Sequence, residues 1–520
     1  MRVQASVAKG ATSLYVASIV VLVANTLYFL VLTNFLASTL GVGIVTALNI
    51  MIWFLVTVCI LAQPVAMQSP IPAPLAVLKF IPELISRRAL SGAGKLFAVS
   101  LAFSVGIGAV VSAVLLAAPQ LLIQFLGGGA VSLIYVRLSG IDVLILSIGQ
   151  VCVGALIALG ETKRATLYLI LWSIARYTLA SILLLLFAIS GVLAGWILGD
   201  AVLLVLALQR SFRTLGGHGR SSFSIAELVR YSLYTLLSAL IGFGVNQADK
   251  VFTLARQGLP QLAVYNVAIV AASFAGFAPY ALLTVLLPAL SALHAKGRLH
   301  EMRDMIHSYT RYVSIVVLPV AFGFASITDV ALRIFGQAYL GGFAPSVIVS
   351  VATGLTAVGA VYAGMLLAIG ELRWFTAANI LGLLGMIVIA YLLTPILGLS
   401  GPALGRAVLM ALVTFTYGFA LFRKGFFEFD LKAFLSATAG STIMSIVVFF
   451  ILSLTHSFVA KLVMLPFIVV LGMFIYLGSL RALRLPTKED LEFVRDLLPA
   501  KLHVLLPLVA RFVGVRWNRK

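Results

Sequence analysis

Charge is what this sequence has least of. Asp, Glu, Lys and Arg together make up 10% of its 520 residues, while 62% are hydrophobic. A water-facing surface cannot be covered with that mixture, so most of the chain faces lipid or other helices. Acidic residues are the scarcer sign, 16 against 36 basic ones, for a formal net charge of +20. The basic residues are scattered over many short polar stretches. That argues against a nucleic-acid partner and for loops held at a cytoplasmic membrane face. Cysteine is nearly absent: Cys59 and Cys152 each lie within an apolar run, so neither a disulfide framework nor a metal site is expected. Also missing are His-Glu-x-x-His, a Walker-type phosphate loop, Gly-x-Ser-x-Gly and Cys-x-x-Cys. ATP-driven transport is therefore not built into the chain, and no catalytic residue, metal or cofactor is expected.

Long apolar runs are what is present. A spanning helix needs roughly 20 apolar residues, and fourteen segments qualify: 13–35, 41–62, 96–118, 139–159, 166–187, 190–210, 229–249, 262–290, 313–335, 345–369, 374–396, 401–422, 434–454 and 460–480. The first run is too long for a cleavable signal peptide and reads as a retained helix. With both termini cytoplasmic, 29 of the 36 Lys and Arg residues fall on the cytoplasmic side. That bias supports both the helix count and the orientation. Gln63 to Arg88 holds five prolines, too many for a spanning helix, and is expected at the cytoplasmic interface. The tail from Pro486 reads as an interfacial amphipathic helix whose Lys and Arg side chains reach headgroups.

The chain also repeats itself. Leu156, Ala158, Gly160, Glu161 and Thr166 recur 210 residues later as Leu366, Ala368, Gly370, Glu371 and Thr376, and Ser190, Gly191 and Gly195 recur as Ser400, Gly401 and Gly405. Duplicated hydrophobic hairpins are a common plan for secondary transporters. Six helices separate the copies, an even number, so the two halves share one orientation. The expected fold is an all-α integral membrane protein of about 14 helices, with two six-helix lobes in a parallel repeat and two extra C-terminal helices. The expected lobes are 1–210 and 229–422, joined by a basic linker at 211–228. The extra helices occupy 423–481, and a basic amphipathic tail occupies 482–520.

Intramembrane charges are the candidate functional groups, since each costs at least about 2.5–3.5 kcal/mol at the bilayer centre. Arg176 lies twelve residues beyond Arg164, about 18 Å by helix rise, and Asp200 lies ten residues from Arg210 on the next, antiparallel helix, about 15 Å. The two are placed to pair at mid-depth, as a structural ion pair or as part of a cavity. Arg406 enters helix twelve from the outer side. Asp142, Asp249, Lys250, Asp329 and Arg333 are expected near the outer ends of helices four, seven and nine. Candidate cargo-binding residues are Arg176, Arg406, Lys250 and Arg256, because a guanidinium fork suits a phosphate. Candidate ion-coupling residues are Asp200 and Asp249. Glu161 and Glu371 occupy equivalent tight turns and are expected to cap helices. Glu428-Phe429-Asp430 is like an acidic metal motif of lipid-linked sugar transferases, but it falls on the cytoplasmic side. His218, His294, His300 and His307 sit in basic loops, as solvated surface.

Several short motifs in order give the sequence a family likeness. They are Asp249-Lys250 followed by Ala263-Val264-Tyr265-Asn266; Leu287-Pro288-Ala289-Leu290-Ser291; Leu318-Pro319 with Gly323; Ile334-Phe335-Gly336-x-x-Tyr339; and Leu397-Gly398-x-x-Gly401-x-Ala403. Together they resemble the multidrug/oligosaccharidyl-lipid/polysaccharide flippase superfamily, and within it the polysaccharide-unit exporters. The resemblance covers most of helices one to twelve. It implies alternating access by rocking of two lobes, with a lipid-linked saccharide on an anionic phosphate linkage moved from the cytoplasmic to the outer leaflet of the cell membrane. Coupling to H+ or Na+ and a monomeric state are further expectations. The alternatives are an ion-coupled drug or metabolite antiporter of the same fold and, in another class, a membrane-bound glycan-modifying enzyme resting on Glu428 and Asp430. The Pro-rich segment after helix two and the basic tail depart from the family pattern.

Overall fold

The computed structural model describes residues 2–36, 38–60, 63–64, 72–73, 75–86, 90–215, 225–276, 286, 289–294, 296–485 and the isolated positions 487, 489, 490, 507, 510, 512 and 514. Its longer helices are α1 (Arg2–Leu36), α2 (Thr39–Cys59), α3 (Leu75–Ser86), α4 (Leu90–Ala117), α5 (Leu133–Ala158), α6 (Thr162–Leu215), α7 (Ile225–Ser273), α8 (Leu299–Ser326), α9 (Thr328–Phe335), α10 (Phe343–Leu355), α11 (Val358–Ala368), α12 (Leu372–Leu397), α13 (Ser400–Lys424), α14 (Leu431–Leu454) and α15 (Phe458–Ala482). Among the described residues, twelve helical stretches are long and apolar enough to cross a membrane. Two of these are double. The 54-residue α6 breaks at Phe187 and Ala188, and α7 breaks at Gly258, which brings the spans to the fourteen expected. α12 and α15 turn large apolar side chains outward: Ile396 is 77% and Phe467 74% exposed. Such faces are stable only against lipid. This is an all-helical, multi-pass membrane protein.

Some boundaries differ from the expectation. Helix nine begins at Leu299 rather than 313 and breaks at Ile327 before α9, and helix ten breaks at Thr356 and Ala357 between α10 and α11. A hydropathy ruler cannot see these changes, because a helix can continue into a polar loop or pause inside an apolar run. Of the Pro-rich stretch, the described part forms α3, which packs on α4 and α5. Gln63–Pro64 pairs with Pro72–Ala73 as a two-residue ribbon. Most of 486–520 and the loop at 216–224 lie outside the described residues, as does the Leu287-Pro288 pair.

By contacts the chain divides into two compact units, Met1–Val267 and Ala268–Lys520. In the first, α6 is central: it packs on α1 and α5, and α5 packs on α2, α3 and α4. In the second, α12 packs along α13, and α8 joins α10, α11 and α14, with α15 against α14.

The sequence repeat is a repeat of backbone geometry. Gly160 and Gly370 have φ of 77° and 76°. In each turn the next amide closes on a carbonyl five residues back, Glu161 N–H to Leu156 C=O and Glu371 N–H to Leu366 C=O, both 2.9 Å. This is the glycine-terminated helix stop, so the turn is capped by backbone rather than by either Glu side chain. The hairpins that follow are closed by small residues. A Cβ on Gly195 would lie 2.3 Å from Ala180 N, and one on Gly405 would lie 3.3 Å from Ala390 N. Those two pairs are 210 residues apart, as are Gly191 against Leu184 and Gly401 against Thr394. Glycine at these crossings lets the two backbones touch.

At the hairpin tips Ala188 (φ 50°, ψ −132°) stands where the second copy has Gly398 (φ 57°, ψ −130°). Only glycine takes that conformation without strain. Ala188→Gly is expected to raise thermal stability by about 1 kcal/mol, and Gly398→Ala to lower it by a similar amount. Melting curves of the purified variants check this, and a drop in midpoint for Ala188→Gly would contradict it.

Candidate functional site

Three charges meet inside the first unit. Arg176, on the first arm of α6, donates from Nη1 to Asp200 Oδ2 on the second arm, and its Nη2 lies 3.5 Å from Asp142 Oδ2 on α5. All three are buried, Asp142 and Asp200 completely and Arg176 to 1% exposure. Trp172 Nε1 donates to the other oxygen of Asp200 at 2.7 Å. The guanidinium carbon lies 4.9 Å from the Trp196 ring and 5.9 Å from the Trp172 ring, cation–π distances. The hairpin geometry makes this possible: a Cβ on Gly199 would lie 2.3 Å from Arg176 Cα, so the arms touch where the pair forms.

The cluster is incompletely satisfied. Asp142 Oδ1, Tyr28 Oη and Trp196 Nε1 are buried with no hydrogen-bond partner. The Tyr28 ring lies 6.3 Å from that of Trp196 and 5.4 Å from that of Tyr177, next to Arg176. Orphaned polar atoms are rare in protein interiors, and one on a carboxylate beside a second carboxylate is costly.

The sequence reading brought Arg176 and Asp200 together but set Asp142 apart, among outer-end charges. Counting from helix ends corrects this. Asp142 is sixteen residues from Ala158, Arg176 fourteen from Thr162 and Asp200 fifteen from Leu215, all about 21–24 Å by helix rise. Asp249 is elsewhere in the unit, fully buried, accepting a 2.8 Å hydrogen bond from Tyr265 Oη across the Gly258 break. Lys250 beside it is half-buried, and Arg256 is exposed with its guanidinium carbon 5.9 Å from the Phe252 ring. Asp329 pairs with Arg333 at 2.9 Å and with Lys461 at 2.6 Å. Asp142, Asp249 and Asp329 thus each have separate partners.

The second copy lacks these charges. At the 210-residue offset Asp142, Arg176 and Asp200 become Ala352, Met386 and Met410, and Trp196 becomes Arg406, which is 9% exposed on α13. The scaffold therefore tolerates apolar residues at all three positions. The cluster is an addition to the shared hairpin, not a requirement of it.

Elsewhere the two Glu turns act as clips. Glu161 binds Arg210 at 2.5 and 2.8 Å and Arg164 at 2.9 Å, and Glu371 binds Lys424. Hydrogen bonding from Arg210, reinforced by Arg164 and opposed by partial burial, holds the Glu161 carboxyl at about 2, against an ordinary 4.5. A lowered carboxyl stabilises the fold above its unfolded value and loses that effect as pH falls. Thermal stability should therefore decline between pH about 4.5 and about 2, and Glu161→Gln should flatten that part of the profile. An unchanged slope in the variant would contradict the clip. Of the supposed metal motif, Asp430 caps α14 through the Ala433 amide at 2.8 Å and binds Arg311 at 2.9 Å. Arg311 also grips Asp490. These are structural tasks, and among the described residues no group of three or more His, Cys, Asp and Glu could hold a metal ion.

The fold is similar to that of solved flippases and transporters, among them members of the superfamily that the sequence resembles. Residues 91–342 match the profile of a family described as "Polysaccharide biosynthesis protein". Among solved structures the chain is similar to a lipid II flippase MurJ in an inward closed conformation, at 13% identity over 94% of this chain and 99% of that one, with a TM-score of 0.66. It is also similar to an outward-facing multidrug resistance MATE transporter, at 18% identity over 81% and 96%, TM-score 0.60. A third likeness, at the same identity and coverage with a TM-score of 0.52, is to a superfamily transporter from Pyrococcus furiosus whose binding pocket is described as of reverse polarity. No curated protein sequence matches. The structures named here are of a flippase and of transporters.

Proposed function

We propose that the protein is a flippase that moves a saccharide linked to a polyprenyl phosphate or diphosphate from the cytoplasmic to the outer leaflet of the cell membrane by alternating access. The observation that carries this reading is the coincidence of two likenesses. The polysaccharide-biosynthesis profile spans residues 91–342, and 94% of the chain is similar in fold to a lipid II flippase. The halves that would work against each other are 1–210 and 229–422, and both termini would be cytoplasmic. Arg406, Lys250 and Arg256 are the groups proposed to meet the anionic linkage, where a guanidinium fork outperforms an ammonium.

Ion coupling falls to the Arg176 cluster. Two carboxylates and one guanidinium leave one negative charge uncompensated, and burial makes an uncompensated charge expensive. The cluster is electrically complete only with one proton or one monovalent cation such as Na+. Asp200 is held by Arg176 and Trp172, so Asp142, with its unpartnered oxygen, is the group that takes up and releases the ion. Binding energy at the cluster that differs between conformations is what would tie an ion gradient to cargo movement.

The MATE-like fold supports a second reading, an ion-coupled antiporter for drugs or metabolites. Vesicles containing the purified protein separate the two. A fluorescent polyprenyl-diphosphate saccharide should change leaflet in them, and a lipophilic cation should not accumulate. The opposite pair of results favours the antiporter. The orientation has its own test: a single cysteine placed near Gly341 should react with an impermeant thiol reagent in intact cells. Reaction only after permeabilisation would reverse the topology.

A further inference from the structure

On the second unit an apolar groove of about 340 Å³ runs between α10, α11, α13 and the start of α14. Leu355, Tyr362, Phe415, Phe419, Phe422 and Phe427 line it. Two local features keep it open. Helix ten is interrupted at Thr356 and Ala357, and Gly418 leaves one wall bare: a Cβ there would stand 3.3 Å from Phe427 Cε2 and 3.4 Å from Tyr362 Cε2. Phe415 and Phe422 are 71% and 69% exposed, so the groove is open to the surrounding hydrocarbon.

Its Gly425 end is basic. Arg303 lies with its guanidinium carbon 5.7 Å from the Phe426 ring, and its Nη2 is 3.3 Å from where a Cβ on Gly425 would be. Arg423, exposed, follows Phe422 in the chain. Lys424 is engaged by Glu371. The two acids nearby are also engaged: Asp430 binds Arg311, and Glu428 is 4.0 Å from His307. Among the described residues no carboxylate pairs with Arg303. A slot for a hydrocarbon chain thus ends at a guanidinium available to an anion.

We propose that this groove binds an anionic phospholipid, with one acyl chain in the slot and the headgroup phosphate on Arg303, Arg423 adding attraction. The volume suits one phospholipid chain, whereas a long polyprenyl tail would overrun it. The seated chain would brace the break in helix ten against α13. This site is independent of the cargo reading and stands or falls without it.

The test uses the full chain, equilibrated with vesicles of phosphatidylcholine and phosphatidylglycerol, re-extracted in mild detergent and weighed by native mass spectrometry. The wild type should retain one phosphatidylglycerol in preference to phosphatidylcholine. Arg303→Glu, a change on an exposed residue, should cut that retention about tenfold, the loss of a charge-assisted hydrogen bond. Gly418→Leu should abolish it by filling the slot. Equal retention of the two lipids, or wild-type retention by Arg303→Glu, overturns the proposal. So does displacement of the phospholipid by added polyprenyl phosphate at equal concentration, which would assign the groove to a cargo tail instead.

Discussion

Arg176→Met should be the most damaging single change in the cluster, lowering stability by about 3–5 kcal/mol. It leaves Asp142 and Asp200 facing each other, both buried, with no cation between them. Asp142→Asn or Asp200→Asn should cost far less, since either leaves one carboxylate for one guanidinium. Arg176→Lys should recover only part of the loss, because an ammonium cannot bridge two carboxylates as the fork does. The informative variant combines three changes, Asp142→Ala, Arg176→Met and Asp200→Met, which installs the residues that the second copy carries at Ala352, Met386 and Met410. Removing a complete buried charge group is often neutral, whereas removing one member is not. The triple variant should therefore melt close to the wild type while Arg176→Met alone does not. If the triple variant is as unstable as the single, the cluster is part of the scaffold and the coupling role loses its support.

Gly199→Leu should have a comparably large effect by a different route. Its side chain would have to enter where a Cβ already stands 2.3 Å from Arg176 Cα and 2.6 Å from Arg176 N. Backbone cannot yield as a side-chain tip can, so the two arms of α6 must separate. Separation removes the Arg176–Asp200 pair along with the packing on either side. Overpacking of this kind costs about 1–3 kcal/mol before the pair is counted, and the stranded charges add more. Expression, size-exclusion profile and melting point report it. A variant indistinguishable from wild type would mean that the hairpin is looser than the close approach implies.

Much of the fold was legible because a bilayer imposes strict rules. Fourteen spans followed from length and hydropathy, and a second copy followed from an ungapped 210-residue offset. The break at Thr356–Ala357 was not legible, because it lies inside a run apolar on both sides, and the break at Ile327 left only the short polar stretch Ser326 to Asp329, which a 20-residue hydropathy window averages away. Within the cluster, Arg176 and Asp200 were found because charges in apolar runs stand out and hairpin arms have known depths. Asp142 was misplaced because helix four was expected to start at 139, whereas α5 starts at Leu133 and carries Asp142 deeper than that boundary implied. The aromatic neighbours Trp172, Trp196 and Tyr28 carried no sequence signal at all, since aromatics in apolar helices are ordinary packing residues. The Met386 and Met410 substitutions were visible in the repeat from the outset, and become meaningful only once their counterparts are seen to pair.

The measurement closest to the central claim is leaflet exchange of a polyprenyl-diphosphate-linked saccharide in vesicles with an imposed proton or sodium gradient, comparing wild type with Asp142→Asn. The wild type should exchange the lipid at a rate that follows the gradient of one of the two ions. Asp142→Asn, folded and inserted equally well, should exchange it at a rate the gradient does not alter. Full gradient response in Asp142→Asn, or no exchange of the saccharide lipid by the wild type under either gradient, would contradict the account.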